Sequence, residues 1–95
     1  EMAGLFAQRF PGRVRSVPAV MAAEDFNEFG RAAPEAKTLL FWVGAQPQAA
    51  WDAAGGDLTK LPPLHSARFA PDPGPTIATA AEALAAAALH ILARP

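Results

Sequence analysis

The spacing of apolar and polar residues predicts short helices in the first third of the chain. Within Glu1–Phe10 the large apolar residues recur at helical spacing, and Pro11-Gly12 ends the pattern. A second helix is predicted to begin in Ala23–Phe29, where acidic residues complement the positive end of the helix dipole. Pro34 is expected to close this second helix, because the residue before a proline disfavours helical geometry.

The last part of the chain predicts one long helix with two different sides. The rigid turn Pro71–Pro75 precedes Thr76, which we expect to cap a helix that runs to about Ala93. Thr79, Glu82 and His90 share its polar side, where His90 is expected to be solvated. The other side of the helix is apolar and consists of Ile77, Ala81, Leu84, Ala88, Ile91 and Leu92.

Two segments between the helices predict strands. Thr38–Val43 is an unbroken apolar run that suits a strand buried on both faces of a mostly parallel sheet, with Phe41 and Trp42 in the core. Arg13–Val17 is a poorer strand candidate, and the composition of Ala45–Pro63 indicates a long loop. The order of elements predicts an α/β fold, with helices flanking a partial sheet. Because two strands do not make a stable sheet, this fold would require the rest of a parent domain or a second copy.

The composition narrows the classes of function. The chain has 95 residues, no cysteine and a net charge of -1. Such a charge gives no electrostatic reason to expect nucleic acid or an anionic membrane as partner, and without cysteine there is no thiolate metal site. The apolar segment Ile77–Ala93 is short and contains Glu82 and His90, so we expect no membrane span. No signal peptide pattern is visible, and the cytoplasm is the expected location.

The segment PPLHSARF contains the leading candidate for chemistry, His65, on a loop stiffened by prolines. Imidazole is a good ligand for zinc or manganese, but a loop histidine that bonds only to its neighbours fits the sequence equally well. Glu24 and Asp25 are candidate carboxylate partners, although acidic residues in a first helical turn also serve the helix dipole. Arg68 is either a clamp for a substrate carboxylate or an exposed charge. Ser66 adjoins His65, a poor arrangement for a nucleophile and its base.

Several motifs taken together resemble one known family. They are Met21–Phe26 (MAAEDF), Pro34, Phe41–Gly44 (FWVG) and Pro63–Phe69 (PLHSARF), followed by an Ala/Leu-rich helix. In this order they resemble the C-terminal end of the dinuclear metal-dependent amidohydrolases of the aminoacylase and carboxypeptidase superfamily. The likeness is to the branch containing hippurate hydrolase and the auxin-conjugate hydrolases, and it extends over about Gly12–Leu92. It implies a fragment of a three-layer α/β/α catalytic domain of the zinc-peptidase type.

The resemblance implies a metallopeptidase-like function in which His65 binds one of two divalent metal ions, zinc or manganese. It places Glu24 and Asp25 near the substrate, an N-acyl amino acid or a peptide-like small molecule. Ala67 departs from the proline usual in the family, and Ala70–Pro75 replaces an acidic stretch. The family's other ligands, its general-base glutamate and its lid domain precede this region. The resemblance therefore implies that this segment alone is inactive.

Two other interpretations remain open from the sequence. The chain is alternatively a non-enzymatic small α/β module that self-associates, or binds a protein partner, through an exposed sheet edge. A third interpretation is a small single-metal hydrolase centred on His65, which would need several carboxylates to converge on the imidazole.

Overall fold

A computed structural model describes residues 1–18 and 25–93 of the chain. The described residues form four α-helices and one 3₁₀ turn, Leu58–Lys60. The chain divides into two units, Glu1–Trp42 and Val43–Pro95. The α-helices are α1 (Met2–Arg9), α2 (Asn27–Ala32), α3 (Gln48–Ala53) and α4 (Pro73–Leu92).

The first unit contains a cluster of aromatic rings centred on Phe6 of α1. The Phe6 ring lies 5.0 Å from the Phe41 ring and 6.4 Å from the Phe10 ring, both in edge-to-face geometry. Phe6 and Phe10 are buried, and the Arg13 guanidinium lies 5.7 Å from the centre of the Phe10 ring. The predicted N-terminal helix is thus confirmed, and its aromatic residues are covered within the unit.

The second helix is shorter than the sequence pattern predicts. Ala23 and Glu24 lie outside the described residues, and α2 begins at Asn27. Its aromatic side is held by a contact between the Phe26 and Phe29 rings, 5.8 Å apart. The helix ends at Ala32, just before Pro34, as predicted.

The predicted α/β fold is wrong: residues 1–18 and 25–93 contain four helices and no β-strand, and hence no sheet. The predicted strands Arg13–Val17 and Thr38–Val43 both lack regular secondary structure. Arg13 lies in a turn, and the other residues of the two segments are irregular. A strand requires hydrogen bonds to a neighbouring strand, and apolar composition alone does not supply that neighbour. Phe41 is half-buried against Phe6, but Trp42 remains 60% exposed, so its predicted core position is also wrong.

The second unit contains a helix that the sequence pattern did not predict. Within the expected loop Ala45–Pro63, α3 forms and is supported by a 2.8 Å hydrogen bond from Gln48 Nε2 to Asp52 Oδ1, four residues apart. After α3 the chain turns through two residues of positive φ, Gly55 at 62° and Gly56 at 74°. The loop prediction is therefore wrong over α3, because its glycines mark only the end of a helix.

Two hydrogen bonds close the segment that connects α3 to α4. Gln46 Nε2 donates to the Pro62 carbonyl over 3.1 Å, and the Asp72 N–H donates to the Ala45 carbonyl over 2.8 Å. The two bonds join the beginning of this unit to both sides of the PPLHSARF segment. They fix the ends of the loop that carries His65.

The final helix begins earlier than predicted and exposes its apolar side. It starts at Pro73 rather than after Thr76, because proline is well suited to a first helical turn, where its missing N–H is not needed. Ala83 is buried, and Thr79, Glu82 and His90 are half-buried on the same half of the helix, so His90 is less exposed than the sequence predicts. The apolar side of α4, which we call the apolar stripe, is exposed at every one of its residues: Ile77, Ala81, Leu84, Ala88, Ile91 and Leu92.

In the part of the chain that the structure describes, α4 is also the one helix long and apolar enough, by length and composition, to cross a membrane.

Candidate functional site

The candidate site is the loop Pro63–Phe69, which is made of two consecutive turns. The Ser66 N–H donates to the Pro63 carbonyl over 3.1 Å, and the Phe69 N–H donates to the Ser66 carbonyl over 3.0 Å. Phe69 is half-buried at the end of the second turn. The loop therefore has a defined backbone, and His65 lies near the tip of its first turn.

His65 has an unusual backbone conformation. Its φ is +68°, and it is the one non-glycine residue of positive φ among residues 1–18 and 25–93. It occupies the third position of the turn Pro63–Ser66, where positive φ favours glycine or asparagine. For a residue with a Cβ, this conformation costs about 1 to 2 kcal/mol. The side chain is exposed, so the turn presents the imidazole to solvent at a cost in backbone strain.

Ser66 has a structural role that the sequence did not reveal. Its Oγ accepts the Arg68 N–H over 3.1 Å, a side-chain turn that supports the second half of the loop. The Arg68 side chain is exposed beyond this turn. A serine two residues before an arginine is too common a pattern to predict such a bond.

The two acidic candidates, Glu24 and Asp25, precede the second unit, which contains His65. Glu24 lies outside the described residues, and Asp25 is an exposed residue of the first unit, next to the start of α2. The Asp25 carbonyl accepts the Glu28 N–H over 2.9 Å, so its backbone supports that helical turn. The sequence-based assignment of Glu24 and Asp25 to the substrate side remains a prediction.

Asp57 precedes His65 in the sequence, and its carboxylate is bound by a neighbouring residue, Thr59. Its Oδ1 accepts the Thr59 hydroxyl over 2.7 Å and the Thr59 N–H over 3.0 Å. These two hydrogen bonds, the hydroxyl first, hold the pKa of Asp57 below its usual value because they stabilise the charged carboxylate. The carboxylate thus caps the 3₁₀ turn Leu58–Lys60.

The donor set does not amount to a complete metal site. Across residues 1–18 and 25–93, no three His, Asp or Glu side chains converge in a group that could hold a metal ion. Catalytic zinc takes about three protein ligands, and His65 supplies one. A metal bound at His65 would therefore need further ligands beyond those that the described residues bring together. The single-metal hydrolase interpretation, which needs carboxylates around His65, gains no support from this arrangement.

Comparisons of the chain with protein-family models, with curated proteins and with solved structures find no match. The family resemblance therefore depends on the motifs of the sequence alone.

Proposed function

We propose that this chain is the C-terminal part of a metal-dependent amidohydrolase that cleaves the amide bonds of N-acyl amino acids or peptides. In this proposal His65 is one ligand of a divalent metal ion, zinc or manganese, and the chain alone is inactive. The proposal concerns the chemistry of His65; residues 1–18 and 25–93 do not contain the sheet that the resemblance implied. Its sequence support is the ordered set of motifs MAAEDF, FWVG and PLHSARF.

The observation that carries the proposal is the exposed, strained presentation of His65. A histidine that served only packing would be buried, and one that served only the turn would be replaced to advantage by glycine. Here the imidazole is exposed, and the backbone adopts a φ of +68° to hold it there. Strain at an exposed polar residue of a well-formed loop supports a role for the side chain itself.

The chain's own residues account for the placement of this ligand. The paired turns fix the backbone on either side of His65, and the Ser66 hydroxyl holds the second turn through the Arg68 N–H. A metal, when bound, would supply Lewis-acid activation of the amide. In this proposal the His65 loop directs one imidazole nitrogen toward the metal. Glu24 and Asp25 are proposed to lie on the substrate side.

The test is metal analysis of the protein produced from the complete open reading frame that encodes this chain. We expect two zinc or manganese ions per protein, as in two-metal hydrolases, together with hydrolysis of an N-acyl amino acid such as hippurate. His65→Ala should lose at least one ion and the activity. His90→Ala is the matched control, because it removes the other histidine of the chain and should leave both ions in place.

Two results would refute the proposal. One is a purified, folded protein that binds no divalent metal, and the other is unchanged metal content in His65→Ala. Tight stoichiometric zinc binding by the 95-residue chain alone would show a different site, complete without further ligands.

The alternative function is that of a non-enzymatic module that associates through a sheet edge. The described residues contain no sheet, so they offer no such edge for association. A different observation favours association in another form. The apolar stripe of α4 is a large exposed surface of the kind that proteins use for contact.

A further inference from the structure

The apolar stripe of α4 is exposed along the whole helix. Large apolar residues on a soluble surface are ordinary when scattered, but a continuous row of them marks a contact surface. The exposed fractions of its large side chains are 66% for Ile77, 60% for Leu84, 55% for Ile91 and 79% for Leu92. We propose that this stripe is the interface of a homodimer in which α4 pairs antiparallel with α4 of a second copy.

The spacing of the stripe is that of a helix that packs along another helix. Ile77, Ala81, Leu84, Ala88 and Ile91 are separated by four, three, four and three residues, which is the alternation of a heptad repeat. These positions form a narrow row parallel to the helix axis, which a second helix can cover over its length.

The order of large and small residues selects the antiparallel arrangement. In a parallel pair, equivalent residues meet, so alanine faces alanine and leaves a gap while Ile and Leu crowd their own copies. In an antiparallel pair, Leu84 meets Ala88 of the other copy and Ile91 meets Ala81. Both of these layers join one large residue to one small one, which fills the space evenly.

Charge favours a second copy over other occupants. The stripe contains no charged residue: α4 has no Lys, Arg or Asp, and its one Glu, Glu82, is half-buried on the other side, so two stripes meet without repulsion between carboxylates. The positions that flank the row are alanines, including Ala78, Ala80, Ala85 and Ala87. Such small, uncharged flanks let two helix backbones approach closely. A membrane-spanning helix would instead be apolar on all sides, whereas α4 has Thr79, Glu82 and His90 on one of its halves.

The area is enough for a specific, modest interface. Burial of a large aliphatic side chain removes roughly 100 Å² from water, so the four large residues and the alanines supply about 500 Å² per copy. Two copies together bury about 1,000 Å², which is near the lower limit for a biological interface. Dimerisation should therefore depend strongly on each large residue of the stripe.

The test is the molar mass of the chain in solution, measured by light scattering across a concentration series. We expect the 9.9 kDa chain to approach twice its monomer mass as concentration rises. Leu84→Glu should remain a monomer with unchanged helical circular dichroism, because Leu84 is already exposed. Leu58→Glu is the matched control: it makes the same change at a residue 70% exposed outside α4, and should dimerise like the natural chain. Ala88→Glu, at an exposed small position of the stripe, provides a second disrupting variant.

The pairing direction is tested by cross-linking, since the chain has no cysteine of its own. A short bismaleimide should join two copies of Leu84→Cys, near the two-fold axis, but not two copies of Ile77→Cys, far from it. A parallel pair would be cross-linked at both positions.

Four outcomes would overturn the proposal. They are a monomer at all concentrations, a dimer that Leu84→Glu and Ala88→Glu leave intact, open-ended aggregates instead of a dimer, and a monomer that binds neutral lipid vesicles through α4. This inference does not depend on metal binding at His65, so either proposal can fail without the other.

Discussion

α1 and α4 both carry apolar residues along one side, but the two helices differ in what covers that side. On α1 the apolar side carries Phe6, which is buried together with Phe10 just after the helix and lies against the half-buried Phe41 in the first unit. On α4 the stripe from Ile77 to Leu92 is exposed, and the half that carries Glu82 and His90 is the more covered one. An amphipathic pattern thus predicts a helix in both cases, but it does not predict which partner covers the apolar side.

The two units also differ in how much apolar area their buried residues remove from water. Alanine removes little apolar area from water, and among residues 43–93 of the second unit the buried ones are Ala54 and Ala83. The first unit buries two phenylalanines instead, each of which contributes several times the area of an alanine. We therefore expect substitutions in the two regions to differ sharply in their effects on stability.

The largest expected effect is that of Phe6→Ala. Removal of this ring leaves a cavity beside Phe10 and Phe41 and should lower the free energy of unfolding of the first unit by about 3 kcal/mol. The comparison variant is Leu84→Ala on α4, studied at concentrations where the chain is a monomer. It should change the free energy of unfolding by less than about 0.5 kcal/mol. Urea unfolding followed by circular dichroism measures both, and equal effects would contradict the contrast between the helices.

The next effect is expected at Gly56, which follows α3. Its φ is +74°, and a methyl group there would lie 3.4 Å from Trp51 Cζ2. Gly56→Ala should therefore lower the free energy of unfolding by about 1 to 2 kcal/mol. Gly44→Ala is the control, because Gly44 has open space around it and no positive φ. A loss in Gly44→Ala as large as that in Gly56→Ala would show that the backbone turn is not the cause.

A smaller effect separates the loop of His65 from ordinary structure. Since φ is +68° at this residue, His65→Gly should give a chain more stable than His65→Ala by about 1 kcal/mol. The pair of variants removes the imidazole in both cases and differs only in the strain at the turn. If thermal unfolding shows His65→Ala to be the more stable of the two, the strained turn is not present in solution.

The smallest effect concerns the cap at Asp57. Its lowered pKa means that its contribution to stability is present above the pKa of the unfolded chain and is lost as pH falls through the folded pKa. Thr59→Ala removes the hydroxyl donor and should move the carboxyl titration of Asp57, followed by NMR, back toward the ordinary value. An unchanged titration in Thr59→Ala would mean that the hydroxyl does not bind the carboxylate in solution.

The sequence predicted helices better than it predicted what surrounds them. The helix at the N-terminus was predicted because Phe6 and Phe10 fall one turn apart, and the long final helix because of its periodic apolar side. Thr38–Val43 was misassigned to a strand because an apolar run does not specify the neighbouring strand that would pair with it. α3 was missed because Pro47 and Gly55-Gly56 suggested a loop, although both suit the two ends of a helix.

The candidate site was predictable only in part. A histidine on a stiff loop stood out, but no residue pattern reveals its positive φ, which belongs to the turn closed by the Ser66 N–H and the Pro63 carbonyl. The exposure of the apolar stripe was likewise beyond prediction, because the periodicity is the same whether the partner lies within the chain or outside it. The sequence thus indicates which side chains could bind a metal or pack, but it does not indicate which residues surround them in the folded protein.

The most direct test of the central claim, that His65 is a metal ligand, is ring-nitrogen NMR of the protein from the complete open reading frame, recorded with and without zinc. We expect zinc to shift one ring nitrogen of His65 to a metal-bound position and to leave the His90 ring unchanged. A His65 ring that is unaffected by saturating zinc, in a protein shown to be folded, would contradict it.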